Sequence, residues 1–210
     1  MTYFVYNEDL LIDKLEKLPT RLRVLYAATC TERLFPAYEC YLEKSAKRVE
    51  HNLQALLQRL WLDVSGEAMS DSEIENGIDK CMNEIQDIND SDWIDEAAEG
   101  AASSLCYALR CRKNGEAQEA AWATRVLYDT LDHFVINKED IDINESGAED
   151  RVLAHPLMQA ELARQHRDLE ELLFFEDKNI VDLVSRLRER ARTEPHMFFG
   201  GDSPFDPSKS

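Results

Sequence analysis

The stretch TERLFPAY, residues 31–38, interrupts a long run of apolar residues at helical spacing and decides how that run is divided. Proline is tolerated in the first turn of a helix but disrupts a helix interior, and the residue before it disfavours helical geometry. We therefore expect Pro36 to end one helix and to begin the next. Glu32 and Arg33, in the last turn of the first helix, are then expected to be structural rather than catalytic.

Outward from this corner, apolar residues keep helical spacing through most of the 210 residues, and only 7 glycines and 6 prolines occur. This pattern predicts about seven helices and no strand. The expected helices lie at about 10–18, 20–35, 36–64, 71–85, 93–113, 116–135 and 156–192. The fourth follows a capping box of Ser70 with Glu73, and the fifth follows a cap at Ser91 or Asp92. A kink is expected in the last helix near 176–177. Residues 137–148 are expected to form a loop. Short connections favour antiparallel neighbours, so we predict an all-α fold in which the helices form one mostly antiparallel bundle.

The predicted domain is a single compact bundle over residues 1–195. AAEGAASS, residues 97–104, consists mostly of small side chains that let another helix approach closely, so we place its helix at the centre. A tail, 196–210, is rich in proline, glycine and serine. Its Met197, Phe198, Phe199 and Phe205 are expected to dock on the same bundle or on a second subunit.

Charge limits the classes of partner. The formal net charge is −18, with 31% charged residues. Such a surface repels phosphate backbones, which argues against nucleic acid, and suits a basic protein partner. We find no secretory signal and no stretch apolar enough to span a bilayer, so we expect a cytoplasmic protein with no membrane contact.

Signatures of catalysis, metal binding and cofactor binding are missing from the sequence. The five cysteines form no CxxC and are interpreted as reduced thiols in the core. HExxH, GxSxG, the P-loop and the dinucleotide fingerprint are absent. His166 with Glu170 is more typical of a solvated pair than of a metal site. We therefore predict a non-enzymatic protein without metal or cofactor, although an enzyme site formed only on folding stays open.

Acidic residues concentrate between Gly66 and Gly100, where twelve carboxylates accompany a single base, Lys80. A second acidic run covers residues 139–150. Solvated helix faces would explain both runs, and a docking surface for a basic protein is the functional alternative. The predicted partner-binding residues are Glu84, Asp87, Asp90, Asp92, Asp95, Glu96 and Glu99.

Three segments carry a resemblance to a known family. AATCTERLFPAYECY, SLCYALRCRKNGEAQEAAWATRVLYDTL and HPLMQAELARQHRDLEELLFFEDKNIVDLVSRLRERAR are similar to the YjaG-like bacterial proteins, the domain of unknown function 416, over most of residues 8–192. The resemblance implies an all-helical cytosolic bacterial protein. That family carries no established activity or catalytic residues, so the resemblance implies no site.

Acidity and missing catalytic signatures together favour a helical protein that binds a basic partner, for example an immunity protein that neutralises a bacterial toxin. The alternative is a housekeeping or regulatory protein, possibly a homodimer with a small-molecule site between helices. Gene neighbourhood separates them, because a toxin gene directly upstream supports the first hypothesis.

Overall fold

The computed structural model describes residues 3–45, 53–88, 93–176 and 179–194, with the backbone alone at Ser45 and Asp87. Within these residues every regular element is an α-helix. These residues form α1 Glu8–Leu15, α2 Thr20–Ser45, α3 Leu53–Ser65, α4 Asp71–Asp87, α5 Trp93–Asn114, α6 Ala117–Lys138, α7 Ala148–Ala154, α8 Pro156–Leu173 and α9 Ile180–Thr193. The all-α prediction is confirmed. The expected number of helices was too small, since nine lie in the described residues alone.

Pro36 does not end a helix, so the predicted corner at TERLFPAY is wrong. Helix α2 runs without a break from Thr20 to Ser45 and contains Pro36 in its interior. The expected third helix from 36 to 64 is therefore divided differently. Its first part belongs to α2, its last part is α3, and residues 46–52 lie outside the described residues.

Burial explains why the helix continues through a proline. Interior proline costs about 3 kcal/mol, because one backbone hydrogen bond is lost and the ring clashes with the preceding turn. The residues around Pro36 are almost fully buried, with Phe35 at 2% exposure and Leu34 and Tyr38 at 0%. Burying each such side chain contributes roughly 1.5–3 kcal/mol. Tertiary packing therefore outweighs the local preference to break the helix.

Helix α5 lies at the centre of the bundle, as its small residues predicted. It packs most extensively on α2 and α6, and α4 covers another side. Ala97, Ala98, Ala101 and Ala102 are fully buried in these contacts. A two-residue connection at Gly115 turns the chain into α6, and the positive φ of 75° there is a conformation that glycine adopts readily.

Helices α8 and α9 both pack on α2, which also contacts α3, α5 and α6. The start of α8 after His155 is confirmed, with Pro156 in its first turn. The predicted kink near 176–177 is instead a separation of two helices, because α8 ends at Leu173 and α9 begins at Ile180.

Local sequence signals predicted the start of α4 correctly and the loop at 137–148 only in part. The capping box is confirmed: the Ser70 N–H donates to Glu73 Oε2 at 2.8 Å and the Glu73 N–H donates to Ser70 Oγ at 3.3 Å. Residues 137–148 were expected to be a loop, but α6 extends to Lys138 and α7 begins at Ala148. The caps proposed at Ser91 or Asp92 and the tail 196–210 lie outside the described residues.

Within the described ranges, none of the helices combines the length and the hydropathy needed to cross a bilayer.

Candidate functional site: an acidic cleft and a buried ionic cluster

An open cleft of about 670 Å³ lies between α5 and α6. Residues 96, 99, 100 and 103 of α5 follow the pattern i, i+3, i+4, i+7, which places them on one helix face. Residues 126, 129, 130, 133 and 137 of α6 follow the same pattern with one further turn. Gly100 lets the two helices approach, because a Cβ there would lie 2.7 Å from Thr130 Oγ1. The lining residues are Trp93, Glu96, Glu99, Gly100, Ser103, Val126, Asp129, Thr130, His133 and Asn137, and we call this feature the acidic cleft.

Three carboxylates line the acidic cleft: Glu96 and Glu99 from α5 and Asp129 from α6. The side chains of Glu96 and Asp129 are 40% and 50% exposed, so solvent reaches them. Asp129 pairs with Arg125 one turn earlier on α6, at 3.3 Å. None of the described lining residues is a lysine or an arginine. The cleft therefore presents an excess of negative charge on a concave surface.

The titratable group in this cleft besides the carboxylates is His133, which contacts Glu96 through Nδ1. This hydrogen bond raises the pKa of His133 above its ordinary value, and partial burial opposes the rise. A protonated His133 neutralises part of the charge of Glu96. As pH rises and His133 loses its proton, the cleft becomes more negative.

The structure assigns different environments to the seven predicted partner-binding residues. Glu96 and Glu99 line the acidic cleft. Glu84 and Asp95 are only 6% and 5% exposed, so their expected place on a docking surface is wrong. Glu84 accepts a hydrogen bond from the Tyr38 hydroxyl at 3.1 Å, and Asp95 pairs with Lys44 at 3.1 Å.

The remaining three predicted residues cannot be placed on this surface. Asp90 and Asp92 lie outside the described residues, and the side chain of Asp87 does as well.

A second constellation surrounds Arg33, near the middle of α2. Its Nη1 donates to Glu161 Oε1 at 3.1 Å, and its Nη2 donates to Asp168 Oδ2. All three residues are at most 4% exposed. Burial alone lowers the pKa of Arg33, but the charges of Glu161 and Asp168 raise it above the ordinary arginine value. Arg190 of α9 adds a second cation, at 2.7 Å from Asp168 Oδ1.

Glu32, the neighbour of Arg33, is also buried, at 4% exposure. It accepts a hydrogen bond from the indole N–H of Trp61 on α3 and another from Arg192 Nε on α9, the latter at 2.6 Å. The guanidinium of Arg188 stacks over the Trp61 ring at 5.3 Å from its centroid. Glu32 thus connects α2 to α3 and α9.

The buried ionic cluster comprises three carboxylates and three arginines: Glu32, Arg33, Glu161, Asp168, Arg190 and Arg192. Arg164, Arg167 and Arg188 also lie within 3.8 Å of these carboxylates. Each carboxylate is bonded to a cation on another helix. Such an arrangement holds helices together and leaves little capacity for an external ligand. Glu32 and Arg33 lie in the interior of α2 rather than in a last helical turn, so their expected position is wrong. Both are buried and paired, which supports the structural role predicted for them.

Thiol and metal chemistry find little support in the described residues. Cys30, Cys81, Cys106 and Cys111 are buried and Cys40 is half-buried, all without disulfides. Burial raises the pKa of Cys30 to about 12, which leaves its thiol protonated near neutral pH. His166 and Glu170 point to other partners, Phe4 and Lys14. In the described ranges, no group of three or more His, Cys, Asp or Glu side chains is arranged to hold a metal ion.

Sequence reasoning missed Asp129 and His133, which complete the acidic cleft from α6. The search followed acidic runs along the chain, whereas these residues are about 30 positions beyond Glu96 and Glu99. A polar stripe at 129, 133 and 137, four residues apart on a helix that is otherwise largely buried, was the available signal. Trp93 also belongs here: it is half-buried and lines the cleft.

Comparison with known proteins identifies the family. Residues 11–196 match the model of the family described as protein of unknown function, DUF416, so the chain belongs to that family. The crystal structure of a DUF416 family protein from Shewanella baltica OS155, at 1.91 Å resolution, is similar with a TM-score of 0.72 and 18% sequence identity. The similarity covers 86% of this chain and 92% of that chain and shows a shared fold. No curated protein matches the chain.

Proposed function

We propose that this DUF416 member binds a basic protein partner through the acidic cleft and acts without catalysis. The observation that carries the proposal is the composition of the cleft. Glu96, Glu99 and Asp129 line one concave surface; none of its described lining residues is a lysine or an arginine, and Arg125 pairs with Asp129 from outside the lining. A surface lined by three carboxylates attracts a lysine or arginine side chain of a partner.

The exposed position of these carboxylates suits binding of another molecule more than stabilisation of the fold. Exposed ion pairs contribute little to folding, so the cleft carboxylates have a small role in holding α5 to α6. Charges of one sign on a concave surface raise the rate of association with an oppositely charged protein. The net charge of −18 over the whole chain acts in the same direction.

Trp93 adds a second recognition element at one end of the cleft. Its ring contacts Phe134 with a centroid separation of 5.0 Å, which fixes its orientation. A half-buried indole face beside carboxylates suits a guanidinium or ammonium group, since a cation over an aromatic face gains about 0.5–2 kcal/mol. We therefore expect an arginine or lysine of the partner to contact both Trp93 and Glu96.

The test compares two variants with the same change in charge. The cleft variant carries Glu96→Lys, Glu99→Lys and Asp129→Lys. The loop variant carries Glu145→Lys, Glu149→Lys and Asp150→Lys, three exposed residues of the second acidic run. Both chains and the unmodified protein are immobilised, and proteins retained from a lysate of the native cells are identified by mass spectrometry.

The proposal predicts that one basic protein is retained by the unmodified chain and by the loop variant, and is lost from the cleft variant. Loss from both variants would mean that total charge rather than the cleft governs retention. Equal retention by all three proteins would exclude the cleft as the binding site. Circular dichroism of each variant checks that the helices are intact.

The finer proposal is that the basic partner is a toxin and that the protein is its cytoplasmic immunity protein. Its support is the acidity and the lack of a recognised catalytic motif. A toxin gene next to this gene, and protection of cells that express both, would be expected. Protection that persists in the cleft variant would contradict it.

A small organic cation is the second candidate ligand, because 670 Å³ lies within the roughly 300–1,000 Å³ of small-molecule sites. Binding of such a ligand corresponds to a housekeeping or regulatory protein, as a monomer or a homodimer. Spermidine is a suitable probe. A rise in melting temperature that the cleft variant loses, without any retained protein, would favour this candidate over a protein partner.

A further inference from the structure

A second pocket, of about 290 Å³, lies where the connection between α1 and α2 meets the end of α8 and the start of α9. None of its described lining residues belongs to α5 or α6, the helices of the acidic cleft. Most of the lining side chains are apolar, and they include Leu18, Leu22, Leu172, Leu173, Phe175 and Ile180.

The apolar wall of this pocket is held in place by the core. Leu18, Leu22 and Leu172 are 4%, 6% and 1% exposed and belong to the hydrophobic core of the bundle. The volume is almost twice the roughly 150 Å³ that accommodates benzene in a protein interior, so a hydrocarbon body of the size of an octyl chain fits. A preformed apolar pocket binds such a body without first ordering the chain around it.

Two cations, Lys17 and Arg21, line the same pocket. Neither side chain forms an ion pair with a carboxylate of the described chain. Glu170 and Glu171, which precede the lining residues of α8, are paired with cations of α1 and α9 instead. The positive charge at this pocket is therefore not neutralised by its neighbours on α8.

The guanidinium of Arg21 is anchored but not saturated. Its Nε donates to the Val64 carbonyl at 2.8 Å, at the end of α3, and its Nη groups donate to no described residue. A planar guanidinium held in this way can donate to both oxygens of a carboxylate. Because the net charge of the chain is −18, its surface as a whole repels anions, and an anion site requires unpaired cations of this kind.

We propose that this pocket binds a medium-chain carboxylate, with the hydrocarbon chain against Leu18 and Leu172 and the carboxylate at Arg21 and Lys17. The apolar wall accounts for the chain, and the two unpaired cations account for the opposite end of the molecule. The site shares no residue with the acidic cleft and is independent of the proposed function.

Calorimetric titration of the full chain with octanoate tests the proposal. 1-Octanol keeps the chain and removes the charge, whereas butyrate keeps the charge and removes most of the chain. The test variants are Lys17→Met combined with Arg21→Met, and Leu173→Trp, which fills the pocket and keeps both cations. Lys80→Met combined with Lys138→Met is the matched control, because both lysines are exposed and form no ion pair in the described chain. Circular dichroism checks the helices of each variant.

We expect octanoate to saturate one site and to bind more tightly than 1-octanol or butyrate. A hydrogen bond to a charged group is worth at least the free energy of a tenfold change, so affinity should fall about tenfold or more in the cation variant. Leu173→Trp should weaken binding similarly, and the control should leave it unchanged.

Three results would overturn the proposal. Absence of saturable octanoate binding would mean that the pocket is no carboxylate site. Equal affinity for octanoate and 1-octanol, or an equal loss in the control variant, would show that Lys17 and Arg21 contribute nothing specific. Unchanged affinity in a folded Leu173→Trp protein would place the bound octanoate elsewhere.

Discussion

The buried ionic cluster of α2, α8 and α9 and the acidic cleft of α5 and α6 use ionisable side chains in opposite settings. In the cluster, Arg33 and Asp168 are at most 4% exposed and each charge meets its opposite. In the cleft, Glu96 and Asp129 are 40% and 50% exposed and share one surface with another carboxylate. Paired buried charges hold helices together, whereas exposed charges of one sign attract oppositely charged groups.

The largest predicted effect concerns Arg33. Arg33→Met keeps the length of the side chain but leaves Glu161 and Asp168 without their buried cation. Removal of one partner of a buried ion pair costs about 3–5 kcal/mol. We expect the free energy of unfolding, measured with urea, to fall by this amount.

Arg125→Met is the matched control, since Arg125 is 55% exposed and pairs with Glu8 and Asp129 at the surface. Its loss should cost no more than about 1 kcal/mol. Equal costs for the two substitutions would contradict the distinction between the two regions.

Glu32→Gln is expected to have the next largest effect. The amide keeps an acceptor for Trp61 but loses the charge that pairs with Arg192. We predict a loss of roughly 1–3 kcal/mol in the free energy of unfolding. Glu145→Gln, at an exposed pair with Arg151, should change stability far less. A stable Glu32→Gln protein that has lost a specific activity would place Glu32 in a binding or catalytic site.

Neutralising the cleft should leave stability nearly unchanged. Glu96→Gln, Glu99→Gln and Asp129→Asn remove exposed charges of one sign, so lost pairs and relieved repulsion offset each other. We expect the free energy of unfolding, obtained from thermal melting curves, to change by no more than about 1 kcal/mol. Partner retention should nevertheless fall. Severe destabilisation would show that the cleft carboxylates hold the fold.

The smallest predicted effect is a pH dependence from His133. Its pKa is raised in the folded state, so its contribution to stability is complete below the unfolded value of about 6.5 and is lost as pH rises through the folded value. Because the side chain is 56% exposed, the amount is only about 0.2–1 kcal/mol. Melting curves of the unmodified protein and of His133→Gln should converge as pH increases. Melting temperatures that differ by the same amount at every pH would contradict a pH-dependent contribution of His133.

The outcome at Pro36 shows which features the sequence could predict. Helical spacing and local caps, such as Ser70 with Glu73, predicted most helices, because their causes lie within a few residues. The break at Pro36 was wrong, because burial of distant parts of the chain against Phe35 and Tyr38 stabilises the helix. Helix α7 was missed because only Ala148 and Val152 of its seven residues are buried, which gives little periodicity.

The two charged regions were harder to predict than the helices. The partners of Arg33 lie 128 and 135 residues away in sequence, so only the fold brings them together. The predicted acidic run included Glu96 and Glu99, which are half-buried at the cleft, but composition alone does not separate them from the buried Glu84 and Asp95. Charge counts predict the sign of a surface, and helix packing decides which members of the run reach it.

The salt dependence of association tests the central claim most directly. The association rate of the retained basic protein is measured for the unmodified chain and for the chain with Glu96→Lys, Glu99→Lys and Asp129→Lys, over a series of ionic strengths. Steering by the cleft predicts a rate that falls steeply with salt for the unmodified chain, and a slower rate with a weaker salt dependence for the variant. Equal rates with equal salt dependence, in a variant whose fold is intact, would contradict the account.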